Sequence, residues 1–395
     1  MTAFGPTVVD VWIGWKEVSR RRLARSRLAG PREDVEPAVI SAALVGVHAQ
    51  VMSAAELSIG LRTVSRTRSD VREALWGSRT LVKTRGPRGT VHLLGAVDLP
   101  MWTGALSAIP AAPSPFGAEV RMSDAHTDDV VAAIDDAVAS AEGELTVDEL
   151  TEAIVERVGS WAGDRVMPAF QDNWPRWRQA ESVATSRGAL CFGPDRGRRT
   201  TYTSPRRWLP GFRPAPAEEA LAALVRSYLH AYGPATAEQF GRWLGAPRAW
   251  SAQLFARLGD ALQPVSFEGV EAWQNAGEAS AEVEVEIPLV RLVPYFDAYV
   301  IGCQPRATLF PGRAGERALT GGQAGNVPAL LIDGVVAGVW HQRRSGRRIA
   351  VTVEPFVTLT ARQRRLLADE VERVGQVLAG TAELTLGAVS VGPHG

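Results

Sequence analysis

LVKTRGPRGTVHLL, residues 81–94, holds two short β-rich runs around the turn Gly86-Pro87-Arg88-Gly89. Glycine and proline at such a turn let the chain reverse, so the stretch reads as an antiparallel hairpin with arginine at its tip. Upstream, Ala38 to Val47, Ala54 to Arg62 and Val71 to Trp76 carry apolar residues at helical spacing. Three helices followed by a basic hairpin is the layout of a winged helix, whose wing touches the phosphate backbone.

The same signal recurs. Ser53-Ala54-Ala55-Glu56-Leu57 has the form of a capping box, a hydroxyl and a carboxylate that satisfy each other's free amides at a helix start. Thr146-Val147-Asp148-Glu149-Leu150 follows 93 residues later, and Thr236-Ala237-Glu238-Gln239-Phe240 a further 90 residues on. The second copy leads to Gly188–Gly193 and Arg198–Tyr202, again a hairpin with basic residues at its turn. The third has helical spacing over 217–230, 237–244 and 248–259, then strands near Val265 and Val270. From Glu282 onward the pattern is mostly β, with runs at Val290–Ile301, Ala329–Val339 and Arg348–Val353. A helix over 360–378, launched by Thr360 and Gln363, and a strand near 382–391 complete the chain. The expectation is an α+β protein of tandem winged-helix units over 1–115, 116–213 and 214–281, with a β-rich C-terminal domain over 282–395.

The chain has 395 residues, 46% of them hydrophobic, and a formal net charge of zero. Charge is nevertheless segregated. Lys16 to Arg32 holds seven basic residues and one acid, and Arg187 to Arg213 seven against Asp195, whereas Glu119 to Glu156 holds twelve acids and one arginine. A neutral chain can thus present a basic surface to nucleic acid. No apolar run reaches the roughly 18–20 residues of a membrane span, and the basic residues of the N-terminus follow its apolar part, the reverse of a signal peptide. A cytoplasmic, nucleoid-associated monomer is expected. Cys191 and Cys303 are the only cysteines, and no phosphate-loop or zinc spacing is present, so no metal and no cofactor are anticipated.

His48 and Gln50 stand just before the first capping signal, beside the positive end of the helix that it would start. If the backbone is extended, alternation across Ala49 points both side chains the same way. Such a pair can hold a water molecule. A histidine satisfied at a helix–loop junction accounts for the same residues, and the motif alone leaves both readings open.

With HAQ followed by SAAELSIGLR (48–62), TRGPRGTVHLL (84–94), YGPATAEQFGRWLG (232–245), LVPYFDAYVIG (292–302) and ALLIDGVVAGVW (329–340), the chain resembles the winged-helix DNA glycosylases of the AlkZ and YcaQ type. The resemblance spans nearly the whole sequence. It implies a C-shaped molecule with double-stranded DNA in a concave channel. It also implies excision of guanine alkylated at N7, including bulky and crosslinked adducts of genotoxic natural products, in repair or in self-resistance. The founding members carry Gln-hydrophobic-Gln; His48-Ala49-Gln50 matches a His-hydrophobic-Gln subgroup, which leaves lesion preference open.

The chemistry suits these residues. Alkylation at N7 makes guanine a cationic leaving group, so the task is to place water at C1′ and shield an oxocarbenium-like transition state. Neutral His48 can accept the water's proton, and Gln50 can fix its direction. Asp297, an acid among aromatic residues, can stabilise positive charge or hold a backbone corner. A lyase needs an amine nucleophile, and Lys16 and Lys83 are the only lysines, so a monofunctional enzyme is expected. Arg85 and Arg88 on the first wing, Arg206 and Arg207, and Arg343, Arg344, Arg347 and Arg348 are the candidate DNA contacts. The segment from Gln304 to Gly325 reads as a surface loop or a hairpin that probes the helix. The rival is a non-enzymatic winged-helix regulator or lesion sensor, which would have no use for His48 and Gln50 as a pair.

Overall fold

Thr146 and Thr236 each begin a helix in the way their sequences predict. The Glu149 amide donates to the Thr146 hydroxyl at 3.3 Å, and the Thr146 amide donates to the Glu149 carboxylate at 2.7 Å. Thr236 and Gln239 repeat the exchange at 3.1 and 2.9 Å. The helices run Val147–Val158 and Ala237–Leu244, and Thr360 with Gln363 launches Ala361–Val377 in the same manner. Ser53 and Glu56 do not form the expected box. Their helix starts earlier, at Met52–Gly60, with Val51 at the N-cap and no side-chain cap. Burial explains the difference. Glu56 is drawn inside and accepts from Arg72 Nε at 2.7 Å, so its carboxylate cannot fold back over the first turn.

The computed structural model describes residues 11–168, 172–278, 285–319 and 321–391. It is a mixed α+β fold that divides into two units, Met1–Arg72 with Val225–Gly395, and Glu73–Leu224.

In unit Glu73–Leu224 the arginine-tipped hairpin is present, Leu81–Arg85 antiparallel to Val91–Gly95 with Arg85 opposite Val91. A second hairpin pairs Cys191–Phe192 with Thr201–Thr203, and Leu145–Thr146 joins the outer edge of the latter strand. Val130, Ile134 and Val138 recur every four residues along Asp124–Ser140, which puts them on one face of that helix. That face packs with Leu150 and Ile154 around fully buried Trp177, whose indole N–H donates to Thr151 Oγ1 at 2.8 Å.

In the other unit, Arg248–Leu258 is followed by the hairpin Leu262–Phe267 with Val270–Asn275, and Trp12–Ile13 pairs parallel to its first strand. The C-terminal sheet has five strands in the order Val290–Val293, Ala329–Ile332, Val335–Ser345, Arg348–Pro355 and Thr381–Leu386, parallel only at the last pairing. Leu367, Val371 and Val374 of Ala361–Val377 cover one face of it, and Leu57 and Leu61 join the same core. The helix that follows His48 and Gln50 is therefore anchored in the C-terminal sheet. The run read as a strand over Val290–Ile301 ends at Val293, because Asp297 caps a short helix, Ala298–Gly302, by accepting from the Tyr299 amide at 3.0 Å. The segment Gln304–Gly325 is neither hairpin nor open loop: it contains the helices Arg306–Leu309 and Arg313–Ala318.

Candidate active site

His48 closes a two-residue strand, Val47–His48, entered through Val45 and Gly46 at φ 49° and 92°. The strand stops there, and Gln50 lies in a bend before Met52–Gly60. The two side chains accordingly differ in exposure: His48 is 8% exposed and Gln50 is open to solvent. The extended backbone that would have aligned them does not continue through Gln50.

The His48 ring packs on Phe296, with centroids 4.6 Å apart and planes at 32°. Phe296 in turn meets Tyr295 at 6.2 Å, so its ring contacts both His48 and Tyr295. Both aromatic residues are half-buried, and burial raises the Tyr295 hydroxyl above the usual tyrosine range. Phe296 has φ 57°, a left-handed conformation that side chains with a Cβ seldom adopt. Its amide donates to Gly325 O at 2.8 Å. Gly325 itself sits at φ 98°, and a Cβ there would come within 3.2 Å of the Phe296 Cα, so glycine is required at this approach.

Asp297 is held from both sides. Arg62 Nη1 and Nη2 donate to its two oxygens at 2.8 Å each, and Ser58 Oγ donates to Oδ2 at 2.7 Å. Neither side chain of the ion pair is exposed. Ser58 and Arg62 are one turn apart on the segment beginning at Met52, so the residues after Gln50 grip the residue after Phe296. Sequence reasoning singled out Asp297 but missed Phe296, Ser58 and Arg62. The i, i+4 spacing of Ser58 and Arg62 was visible, but their shared partner lies some 240 residues away, beyond any local pattern.

Several of the candidate DNA contacts are engaged within the protein. Arg85 is engaged, donating to Gly89 O at 2.9 Å and pairing with buried Glu181. Arg206 pairs with Asp135 at 2.6 Å, and Arg207 donates to Glu142 O at 3.2 Å and to Ala141 O, closing the end of Asp124–Ser140. Arg344 bonds Leu378 O and Gly346 O at 2.8 Å. Arg88 is exposed at the tip of the first hairpin, at φ 58°. Arg343, Arg347 and Arg348 are exposed around the turn between Val335–Ser345 and Arg348–Pro355, with no acidic partner among the described residues. The N-terminal basic run is not a surface patch. Arg21 and Arg22 are buried, and Arg22 donates to the carbonyls of Gly233 at 3.2 Å and Pro234 at 3.1 Å.

Of the two lysines, Lys16 is exposed in the first turn of Trp15–Arg25, and Lys83 Nζ lies 5.4 Å from the Phe192 ring centroid. Among the described residues no group of three or more His, Cys, Asp or Glu could hold a metal ion, and no helix is long and apolar enough to cross a membrane.

The model of the family described as "DNA glycosylase AlkZ-like" matches residues 42–377. The interstrand DNA cross-link repair glycosylase of Streptomyces sahachiroi is 30% identical over 352 residues, covering 83% of this chain and 87% of that protein. The solved structure of Streptomyces sahachiroi DNA glycosylase AlkZ matches with a TM-score of 0.81 at 25% identity, over 95% of this chain and 100% of that one. The chain belongs to the AlkZ-like DNA glycosylase family and is an enzyme acting on DNA in repair.

Proposed function

We propose that this glycosylase releases guanine alkylated at N7 from double-stranded DNA by water attack at C1′, leaving an abasic site without cutting the strand. The observation that carries the reading is His48, sunk against Phe296 at the start of a helix, with exposed Gln50 two residues on. Neutral His48 takes a proton from the attacking water, whose oxygen bonds C1′. The N9–C1′ bond breaks, and its electron pair discharges the positive charge on the base. No strong acid is needed, because the alkylated base leaves as a neutral molecule. Gln50, donor and acceptor at once, sets the direction of the water. Asp297 carries its negative charge beneath this corner, compensated by Arg62.

The hairpin-ended helical units serve as tandem winged helices over 1–115, 116–213 and 214–281, followed by the β-rich 282–395. The enzyme works as a monomer at the nucleoid, in the cytoplasm. Arg343, Arg347 and Arg348 meet phosphates directly. Arg85, Arg88, Arg206, Arg207 and Arg344 do so by trading their present partners or by shaping the surface. The Streptomyces sahachiroi relative is named for cross-link repair, which supports crosslinked adducts as substrates; bulky adducts and a role in repair or in self-resistance to a DNA-alkylating natural product are proposed with them.

The test is base release from duplexes carrying N7-methylguanine or a bulky N7 adduct, scored as abasic sites by alkaline cleavage, with His48→Ala and Gln50→Ala alongside. Release by wild type and much slower release by His48→Ala is expected. DNA binding without release by any of the three removes the hydrolytic reading. Borohydride trapping of enzyme on lesion DNA would instead indicate a lyase.

A further inference from the structure

Phe296 is a half-buried aromatic residue in a left-handed backbone conformation, and its ring packs on His48, the candidate general base. Left-handed geometry at a bulky residue is costly and persists only where surrounding structure enforces it, commonly at functional sites. Here the enforcement is explicit: the amide is held by Gly325 O, and the next residue is locked by Arg62 and Ser58. A packing role alone would not require this conformation, since a core phenylalanine is free to sit on an ordinary strand or helix. Tyr295 adds a second ring beside Phe296, with centroids 6.2 Å apart.

We infer that Phe296, with Tyr295 beside it, is the surface that receives the positively charged alkylated base and selects it over a neutral one. Resting on the proposed function above, this adds the property of the lesion that is recognised. Aromatic faces carry negative electrostatic potential and attract cations, most strongly when water is excluded. The carboxylate nearest to this surface in sequence, Asp297, cannot perform the selection, because Arg62 takes both of its oxygens inside the protein. Charge recognition at the corner therefore falls to the rings. Asp297 and Arg62 act as positioning residues that hold Phe296 against His48.

Binding separates this from catalysis. Two duplexes are compared, one with N7-methylguanine on a 2′-fluorinated sugar, which keeps the cationic base from leaving, and one with the neutral isostere 7-methyl-7-deazaguanine on the same sugar. Wild type is expected to bind the cationic lesion about two- to thirtyfold more tightly, the span of a ring–cation interaction from exposed to desolvated. Phe296→Leu, which keeps apolar volume and removes the ring, should abolish most of that preference, and Phe296→Tyr should restore it. Equal affinity of wild type for the two duplexes overturns the inference, as does a preference that survives in Phe296→Leu. Should Phe296→Leu fail to fold, Tyr295→Leu is the second probe, expected to reduce the preference severalfold, and an undiminished preference there also overturns it. Base release from unfluorinated N7-methylguanine, measured in parallel, tests the hydrolytic reading separately, since charge selection can stand where release fails.

Discussion

Arg62 holds Asp297 through both carboxylate oxygens at 2.8 Å, with neither side chain exposed. Desolvation makes such a pair costly to build and more costly to break. Removing one partner, by Asp297→Ala or Arg62→Ala, should lower unfolding free energy by about 3–5 kcal/mol, since a buried charge is left uncompensated. Replacing both with apolar residues should cost clearly less than the sum of the two. Denaturant unfolding of the two singles and the double reads this, and additive losses would mean the residues act independently.

His48→Ala should slow base release by about 10²–10⁴-fold, the usual worth of a general base, with DNA affinity unchanged. Gln50→Ala should lose up to about 10²-fold through misdirected water. A rate that falls on acidification in wild type and is flat in His48→Ala would identify His48 as the group that must be neutral.

Arginines at the hairpin ends can be sorted by salt dependence. If Arg343, Arg347 and Arg348 each neutralise one phosphate, then Arg343→Gln, Arg347→Gln and Arg348→Gln should each shrink the slope of log K against log salt by about 0.9. Arg344→Gln should change the slope less, because this side chain already commits hydrogen bonds to Leu378 O and Gly346 O. Fluorescence anisotropy titrations at several salt concentrations are the measurement.

Thr146→Ala and Thr236→Ala should each cost about 1 kcal/mol, the ordinary worth of an N-cap. Ser53→Ala should stay within about 0.5 kcal/mol, as at other exposed positions without a special role.

The two capping boxes should also part company with pH. Hydrogen bonds from the Thr146 amide and hydroxyl, together with Arg196, hold the Glu149 carboxyl below the usual glutamate range. A folded value below the unfolded one means the stabilisation is present above the unfolded value and is lost as pH falls through the folded one. On acidification the protection factor at the start of Val147–Val158 should drop in hydrogen exchange. The start of Ala237–Leu244, closed by uncharged Gln239, should not respond in that way.

Local signals in this chain were legible where they depended on neighbours along the chain. The hairpins at Leu81–Gly95 and Cys191–Thr203 and the caps at Thr146, Thr236 and Thr360 all follow from turn chemistry and three-residue spacing. Ser53 and Glu56 looked the same and failed, because the burial that turns Glu56 toward Arg72 is set by tertiary packing. The basic run at Lys16–Arg32 misled for a related reason: Arg21 and Arg22 serve the interior, and a count of charges cannot tell a guanidinium that holds carbonyls from one that meets phosphate. His48 and Gln50 were visible as a motif. The ring on His48 and the ion pair beneath it were not, since their parts come from opposite ends of the sequence.

Gly60, on the helix that follows His48 and Gln50, lies so close to the last long helix that an added Cβ would meet Val377 at 2.6 Å. Val377 belongs to the same apolar core as Leu57 and Leu61, so a side chain added at Gly60 would disturb the helix after Gln50 and the packing of the C-terminal sheet in one step.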